Sequence, residues 1–256
     1  MERVFETDRL SKRKRVELTL RREAVDRVAL LEQLSYNPRV IADWTGKNIH
    51  GFNYTLDDIC AVIRKTLDLV MPPRAPSGTE RVTTADGFVI QHDNWTSWRL
   101  SRPFDDEHGA MEWLRGKTAI IKSTSIDVAE ARQKYRDGML DLQRKIGDTV
   151  ILDSSHTGFC SVFDAMGLEL FTFFQLEYPG VLKEHYDAVI DREVRRVHAV
   201  ADPILSPVVL IAEDFATKQG PIFRPEFLAE FHYPYVGKLC TAWHEQGIKV
   251  IYHSDG

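Results

Sequence analysis

The chain has 256 residues, of which 43% are hydrophobic and 28% charged, as is typical of a soluble globular protein. Its net charge of −5 argues against a general nucleic-acid-binding protein, which is usually basic. Cys60, Cys160 and Cys240 are sparse and far apart, which suits a reducing compartment. No apolar run approaches the roughly 20 residues that a membrane span needs. We therefore expect a cytoplasmic protein.

The first element in chain order is a charged N-terminal stretch, residues 8–22, that we expect to be helical. It contains the basic run Lys12-Arg13-Lys14-Arg15. A run of this kind most often forms a solvated helix face, and we favour that reading over a targeting or nucleic-acid signal.

Short apolar runs then alternate with longer amphipathic stretches. Near-continuous apolar character is typical of strands buried on both faces, and strands alternating with helices indicate a parallel sheet. The runs predicted as strands are 28–31, 67–71, 149–152, 207–212 and 248–252. The stretches predicted as helices are 56–66, 126–146, 162–174, 179–200 and 225–246.

Two local signals refine this pattern. Asp86-Gly87 is a turn signal between strand-forming residues, so residues 81–100 are predicted to form an antiparallel hairpin inserted into the parallel fold. Pro234 predicts a kink, or two consecutive helices, within residues 225–246. Gly247 is placed to end that helical stretch.

Polar groups follow four of the five predicted strands. The C-terminal ends of parallel strands lie at one edge of a sheet, where binding and catalytic groups collect. Taken singly, each residue is better explained as a loop or capping residue. Acids and a histidine at neighbouring strand ends together favour function, because their desolvation needs compensation. The candidate site residues are Glu32, His156, Glu213, Asp214, His253 and Asp255.

Residues 212–256 resemble the central part of the uroporphyrinogen decarboxylase-like superfamily. The resemblance is carried by the acid pair Glu213-Asp214, by Gly220-Pro221, by a helix containing Pro234-Tyr235, and by the closing turn His253-Ser254-Asp255-Gly256. It extends more weakly to residues 14–28, 86–88 and 167–179.

This resemblance implies a TIM-like (β/α)8 barrel, which residues 1–256 would form as one domain. Five strands, with a sixth left open, are predicted where a closed barrel needs about eight. We therefore expect an incomplete barrel that lacks its last strands and is truncated at its C-terminus.

The resemblance also bears on chemistry. Residues 31–37 lack the arginines with which porphyrinogen decarboxylases of this superfamily grip their substrate, so that reaction is not expected. The corrinoid-dependent methyltransferases are the better comparison. Their zinc-binding His-x-Cys turn corresponds to His253 and Asp255, which could bind zinc or a similar divalent metal.

The expected function is thus methyl transfer from a small methylated compound, with a corrinoid carried on a partner protein. Asp214, Glu213 and His253 are expected to be catalytic, and His156, Glu32 and Asp255 to bind substrate. Two alternatives stay open: a decarboxylase or lyase acting on another carboxylated substrate, and a truncated barrel without catalytic activity. Neither nucleic acid nor a membrane is expected as a partner.

Overall fold

A computed structural model describes residues 5–32 and 37–254 as a mixed α/β fold. The described helices are α1 (Lys12–Leu20), α2 (Pro38–Thr45), α3 (Leu56–Thr66), α4 (Glu107–Ser123), α5 (Val128–Ile146), α6 (Phe159–Met166), α7 (Leu168–Glu177), α8 (Pro179–Val200), α9 (Pro225–Phe231) and α10 (Tyr233–Glu245). The described strands are β1 (Leu31–Glu32), β2 (Leu69–Val70), β3 (Thr79–Thr83), β4 (Val89–Asp93), β5 (Thr96–Ser101), β6 (Val150–Ile151), β7 (Asp153–Ser155), β8 (Val208–Ala212), β9 (Ala216–Thr217), β10 (Gly220–Pro221) and β11 (Lys249–His253).

The parallel strands follow one another across the sheet in chain order. β1, β2 and β6 pair in parallel, and so do β7, β8 and β11. β6 and β7 are consecutive parts of one stretch on either side of Leu152, whose N–H donates to the carbonyl of Val70. The predicted strand alternation is confirmed, except that β1 begins later than expected because Val28 is 75% exposed.

Helix boundaries follow from local chemistry. α3 and α8 match the predicted ranges 56–66 and 179–200. α3 begins with a capping box between Thr55 and Asp58. The predicted interruption near Pro234 is confirmed as a break at His232 that separates α9 from α10. Gly247 has φ +75°, and the N–H groups of Gly247 and Ile248 satisfy the last carbonyls of α10.

The predicted hairpin is a three-stranded antiparallel meander, in which β4 pairs with both β3 and β5. Gly87 adopts φ +88° in the first turn, and Asn94 lies in the second. The sequence pattern identified two strands and missed the third. The meander packs through Phe88, whose ring contacts Phe104 and Trp113 edge to face.

The expectation of a solvated basic face on α1 is wrong for two of its four members. Lys12 and Arg15 are 1% and 0% exposed, whereas Lys14 is exposed. The guanidinium of Arg15 bonds to Asp26 at 2.7 Å and to Asp68 at 2.6 Å. Residue spacing alone did not show that α1 lies against the N-terminal ends of β2 and β6. At that position, Asp68 and residues next to the strands supply the partners of Lys12 and Arg15.

Among the described residues, no single helix is both long and apolar enough to cross a membrane. α6 and α7 meet that test only as a pair, bent by 114°. Phe159, Phe171 and Phe174 of this pair are fully buried in the largest apolar cluster of the fold.

Candidate functional site

The acid pair and His253 lie at the C-terminal edge of the parallel sheet. β8 and β11 are neighbours over five residue pairs, from Lys249 opposite Val208 to His253 opposite Ala212. The N–H of Glu213 continues this ladder by donating to the carbonyl of His253 at 3.1 Å. The backbone therefore brings the two strand ends together directly beyond a buried strand.

Asp214 and His253 form the exposed part of this edge. His253 Nε2 lies 3.6 Å from Asp214 Oδ1, and their side chains are 36% and 59% exposed. The expected proximity of these two residues is confirmed. A carboxylate and an imidazole at this distance can pass a proton to a bound group. They can also share one metal ion, because ligand bonds of about 2.0–2.2 Å place two ligand atoms at about this separation.

Glu213 faces the opposite way and is buried. Its carboxylate accepts hydrogen bonds from Thr157 N at 2.7 Å, Thr157 Oγ1 at 2.7 Å and Cys160 N at 3.1 Å. A carboxylate at the start of α6 also interacts favourably with the helix dipole. These contacts favour a positioning role in which Glu213 ties the loop after β7 to the end of β8. Its predicted catalytic role stays a prediction.

Cys160 lies between the two acids and the core. Its thiol donates weakly to the carbonyl of Asp214, with Sγ 3.5 Å from the oxygen. Burial and the neighbouring charge of Glu213 raise the pKa of this thiol well above its ordinary value. The raised pKa makes Cys160 a poor candidate for a nucleophile near neutral pH.

His232 is a buried polar residue that sequence reasoning missed. Its ring centroid lies 5.0 Å from that of Phe159 and 4.8 Å from that of Phe215. Nε2 bonds to Tyr252 Oη at 2.8 Å, while Nδ1 has no hydrogen-bond partner within residues 5–32 and 37–254. Burial lowers the pKa of His232, so its ring is neutral at pH 7. The only sequence signal was Pro234, which marked the helix break.

The remaining predicted site residues lie elsewhere or outside the described residues. Glu32 ends β1, which two strand positions separate from β8. His156 is exposed and faces a cleft bordered by α8. Asp255, predicted as a substrate and metal ligand, lies outside the described residues. The structure thus brings together Glu213, Asp214 and His253 from the predicted set.

No group of three or more His, Cys, Asp or Glu side chains that could hold a metal ion occurs in the part of the chain that the structure describes. Asp214 and His253 supply one oxygen and one nitrogen donor. The predicted metal site at His253 and Asp255 stays a prediction.

Comparison with models of known protein families gives no match, and comparison with curated proteins gives none either. The fold and the site define a mixed α/β protein that carries a carboxylate–imidazole pair at the C-terminal edge of a parallel sheet. A fold alone does not specify an activity, so this pair is the feature of the chain that bears on function.

Proposed function

We propose that the chain is a methyltransferase-like enzyme of the uroporphyrinogen decarboxylase superfamily, built on a (β/α)8-type barrel. Within residues 5–32 and 37–254, five parallel strand positions in chain order, separated by helical segments, support the barrel. The observation that carries the function is the Asp214–His253 pair, 3.6 Å apart at adjacent strand ends. In parallel α/β folds the reacting groups lie at this edge.

The reaction is methyl transfer from oxygen or nitrogen of a small methylated compound. A cobalt corrinoid on a partner protein supplies the nucleophile that accepts the methyl group. The bond between the methyl carbon and the heteroatom breaks, and the heteroatom keeps the electron pair. The Asp214–His253 pair donates the proton that the departing heteroatom takes up, and solvent then restores that proton.

A divalent metal, zinc or similar, would act on the same heteroatom. In this alternative to proton donation by the pair, His253 and Asp214 would hold the metal, with Asp255 as the third ligand predicted from the sequence. A bound cation polarises the heteroatom and makes it a better leaving group. An imidazole and carboxylates suit zinc or a harder cation better than a thiolate-rich site would.

Other residues would shape the site. Glu213 holds the start of α6 against β8, which positions the neighbouring Asp214. The exposed rim formed by Asp214 and His253 leaves room for a corrinoid protein to dock over it. Glu32 and His156 remain proposed substrate-binding residues on the flanks of this edge.

To test the proposal, the full chain is mixed with a cobalt(I) corrinoid protein and a panel of methoxylated and N-methylated compounds. Methyl transfer is followed by the change in corrinoid absorbance. Asp214→Asn and His253→Ala should each slow turnover by about 10²–10⁴-fold, the usual contribution of a general acid or base. Asp137→Asn, an exposed acid on α5, is the matched control and should leave the rate unchanged.

Three results would overturn the proposal. Equal rates for wild type and both site variants would reject the assigned residues. Carbon dioxide release from a carboxylated compound, without methyl transfer, would replace the proposal with the lyase alternative. Absence of turnover and of metal binding across the panel would favour a barrel that acts only in binding or assembly.

A further inference from the structure

A cleft of about 510 Å³ lies between the meander and helices α4, α6 and α8. This volume is in the range of sites for small molecules, about 300–1,000 Å³. Its walls include His156 and Gly158 of the loop after β7, but neither Asp214 nor His253. The cleft therefore lies beside the sheet edge to which we assign methyl transfer and shares His156 with it, whereas its other walls belong to the meander, α4, α6 and α8. Ligand binding in the cleft does not require methyl transfer at that edge.

One wall of the cleft is apolar, and its side chains are held in place by packing against each other and against the core. The rings of Phe88 and Trp113 contact each other with centroids 5.6 Å apart. Val162 and Val189, on α6 and α8, are almost completely buried behind the cleft. The apolar wall is formed by Phe88, Ile90, Trp113, Ile121, Val162 and Val189. Such a surface suits an aromatic or aliphatic body of a ligand.

The charged side chains that line the cleft are not all paired with a side chain of opposite charge. Lys117 is neutralised by Asp86, with Nζ 2.6 Å from Oδ2. Arg192 lies on the α8 wall. Arg99 lies over the ring of Phe88 at 5.1 Å, donates to the backbone carbonyl of Asp164, and interacts electrostatically with the Asp164 carboxylate. Within the described part of the chain, neither arginine has a carboxylate oxygen within ion-pair distance. The cleft therefore has a local excess of positive charge although the chain has a net charge of −5.

His185 adds a polar group to the α8 wall. Thr118 Oγ1 donates to the carbonyl of Leu114 at 2.8 Å and lies 2.9 Å from His185 Nδ1. Burial, with the nearby charge of Arg192, lowers the pKa of His185 to about 4, so the ring is neutral at pH 7.

We propose that this cleft binds an amphiphilic anion: a carboxylate or phosphate attached to an apolar body. Arg192 binds the anionic group, since a guanidinium offers paired donors to planar or tetrahedral oxyanions. Arg99 adds positive charge from the opposite wall. Phe88, Trp113 and Val162 cover the apolar body. The meander then has a role as one wall of a binding site.

The experiment measures binding to the full chain by isothermal titration calorimetry. The probes are 2-naphthoate, octyl phosphate, and uncharged 2-naphthylmethanol. Arg192→Ala should weaken binding of the preferred anion by at least about tenfold, the effect of losing one charge-assisted hydrogen bond. Its affinity for 2-naphthylmethanol should stay unchanged. Arg195→Ala, an exposed arginine one turn away on α8, is the control and should bind all probes as wild type does.

A second variant tests the location without removing charge. Ser161 is exposed on α6 and lines the cleft, so Ser161→Trp should fill the cleft and weaken binding of both anion and uncharged probe. His253→Ala should not change binding, which separates this site from the proposed catalytic edge. The better-bound anion shows whether carboxylate or phosphate is preferred. Failure of both anions to bind wild type at about 1 mM, or equal affinity for Arg192→Ala and Arg195→Ala, would overturn the proposal.

Discussion

Ionisable side chains lie at both ends of the parallel sheet, but in opposite environments. At the N-terminal end, Arg15 is fully buried among Asp8, Asp26 and Asp68, with nitrogen–oxygen distances of 2.6–3.4 Å. At the C-terminal end, Asp214 and His253 are partly exposed and 3.6 Å apart.

The difference follows from desolvation. A buried charge persists only when partners and hydrogen bonds replace its lost water, so the N-terminal end needs short, multiple contacts. Asp68, for example, accepts from Arg15, Arg27 and the N–H of Leu30. At the C-terminal end, Asp214 and His253 keep part of their contact with water, whereas the neighbouring Glu213 is buried and hydrogen-bonded. Ionisable side chains therefore specify structure at one end, whereas Asp214 and His253 suit chemistry at the other.

The largest expected effect comes from removing the centre of the buried network. Arg15→Ala would leave three acids without this partner and should lower the free energy of unfolding by about 3–5 kcal/mol. Lys14→Ala, one position earlier and exposed, should change it by less than about 0.5 kcal/mol. Urea unfolding of both variants measures these changes in the free energy of unfolding. Similar losses of stability in the two variants would show that the buried network is not what distinguishes the N-terminal end of the sheet.

Acid should weaken the same end of the sheet. The hydrogen bond from Arg15 holds the pKa of Asp26 well below its ordinary value. The folded state therefore binds fewer protons than the unfolded state, and the stabilisation is present above about pH 4 and lost as pH falls further. Asp26→Asn should cost about 2–3 kcal/mol at pH 7. Its deficit against wild type should shrink between about pH 5 and pH 2 in urea titrations; a constant deficit would contradict the depressed pKa.

The two neighbouring acids at the C-terminal end should differ from each other. The Glu213 carboxylate accepts three hydrogen bonds, and Glu213→Gln replaces one of its oxygens with an amide NH2 group that faces donors. The substitution should lower the free energy of unfolding by about 1–3 kcal/mol. Asp214→Asn should change stability by less than about 0.5 kcal/mol because its side chain is mostly exposed. Thermal and urea unfolding compare them, and equal losses would remove the distinction between a positioning and a reacting acid.

The smallest effect is the coupling between Asp214 and His253. A double-mutant cycle of Asp214→Asn and His253→Ala should show a coupling free energy of at most about 1 kcal/mol in unfolding, the range of exposed ion pairs. A coupling comparable with that of the buried network would mean that this pair is structural as well.

Strand and helix positions could be predicted where one pattern of apolar residues dominates a segment of the sequence. Residues 150–152 and 207–212 are apolar without interruption, and a strand buried on both faces is the simplest structure for such a run. The neighbouring ends of β8 and β11, and hence the approach of Asp214 to His253, followed from parallel order. The same reasoning failed for Lys12 and Arg15, because a basic run has no apolar period that shows which face is buried.

The amino-acid sequence by itself indicated the order of the parallel strands, the break near Pro234, and the strand ends that carry polar groups. It did not indicate α2 and α4, and the single helix predicted over residues 162–174 is divided at Gly167 into α6 and α7. Tertiary structure alone decided which of those groups are engaged. Glu213 and Asp214 are adjacent in the chain, yet one is enclosed by the start of α6 and the other faces solvent. The difference between the two acids depends on which element packs against each side of the strand end. Residue type and spacing do not indicate which residues, distant in the chain, will pack there.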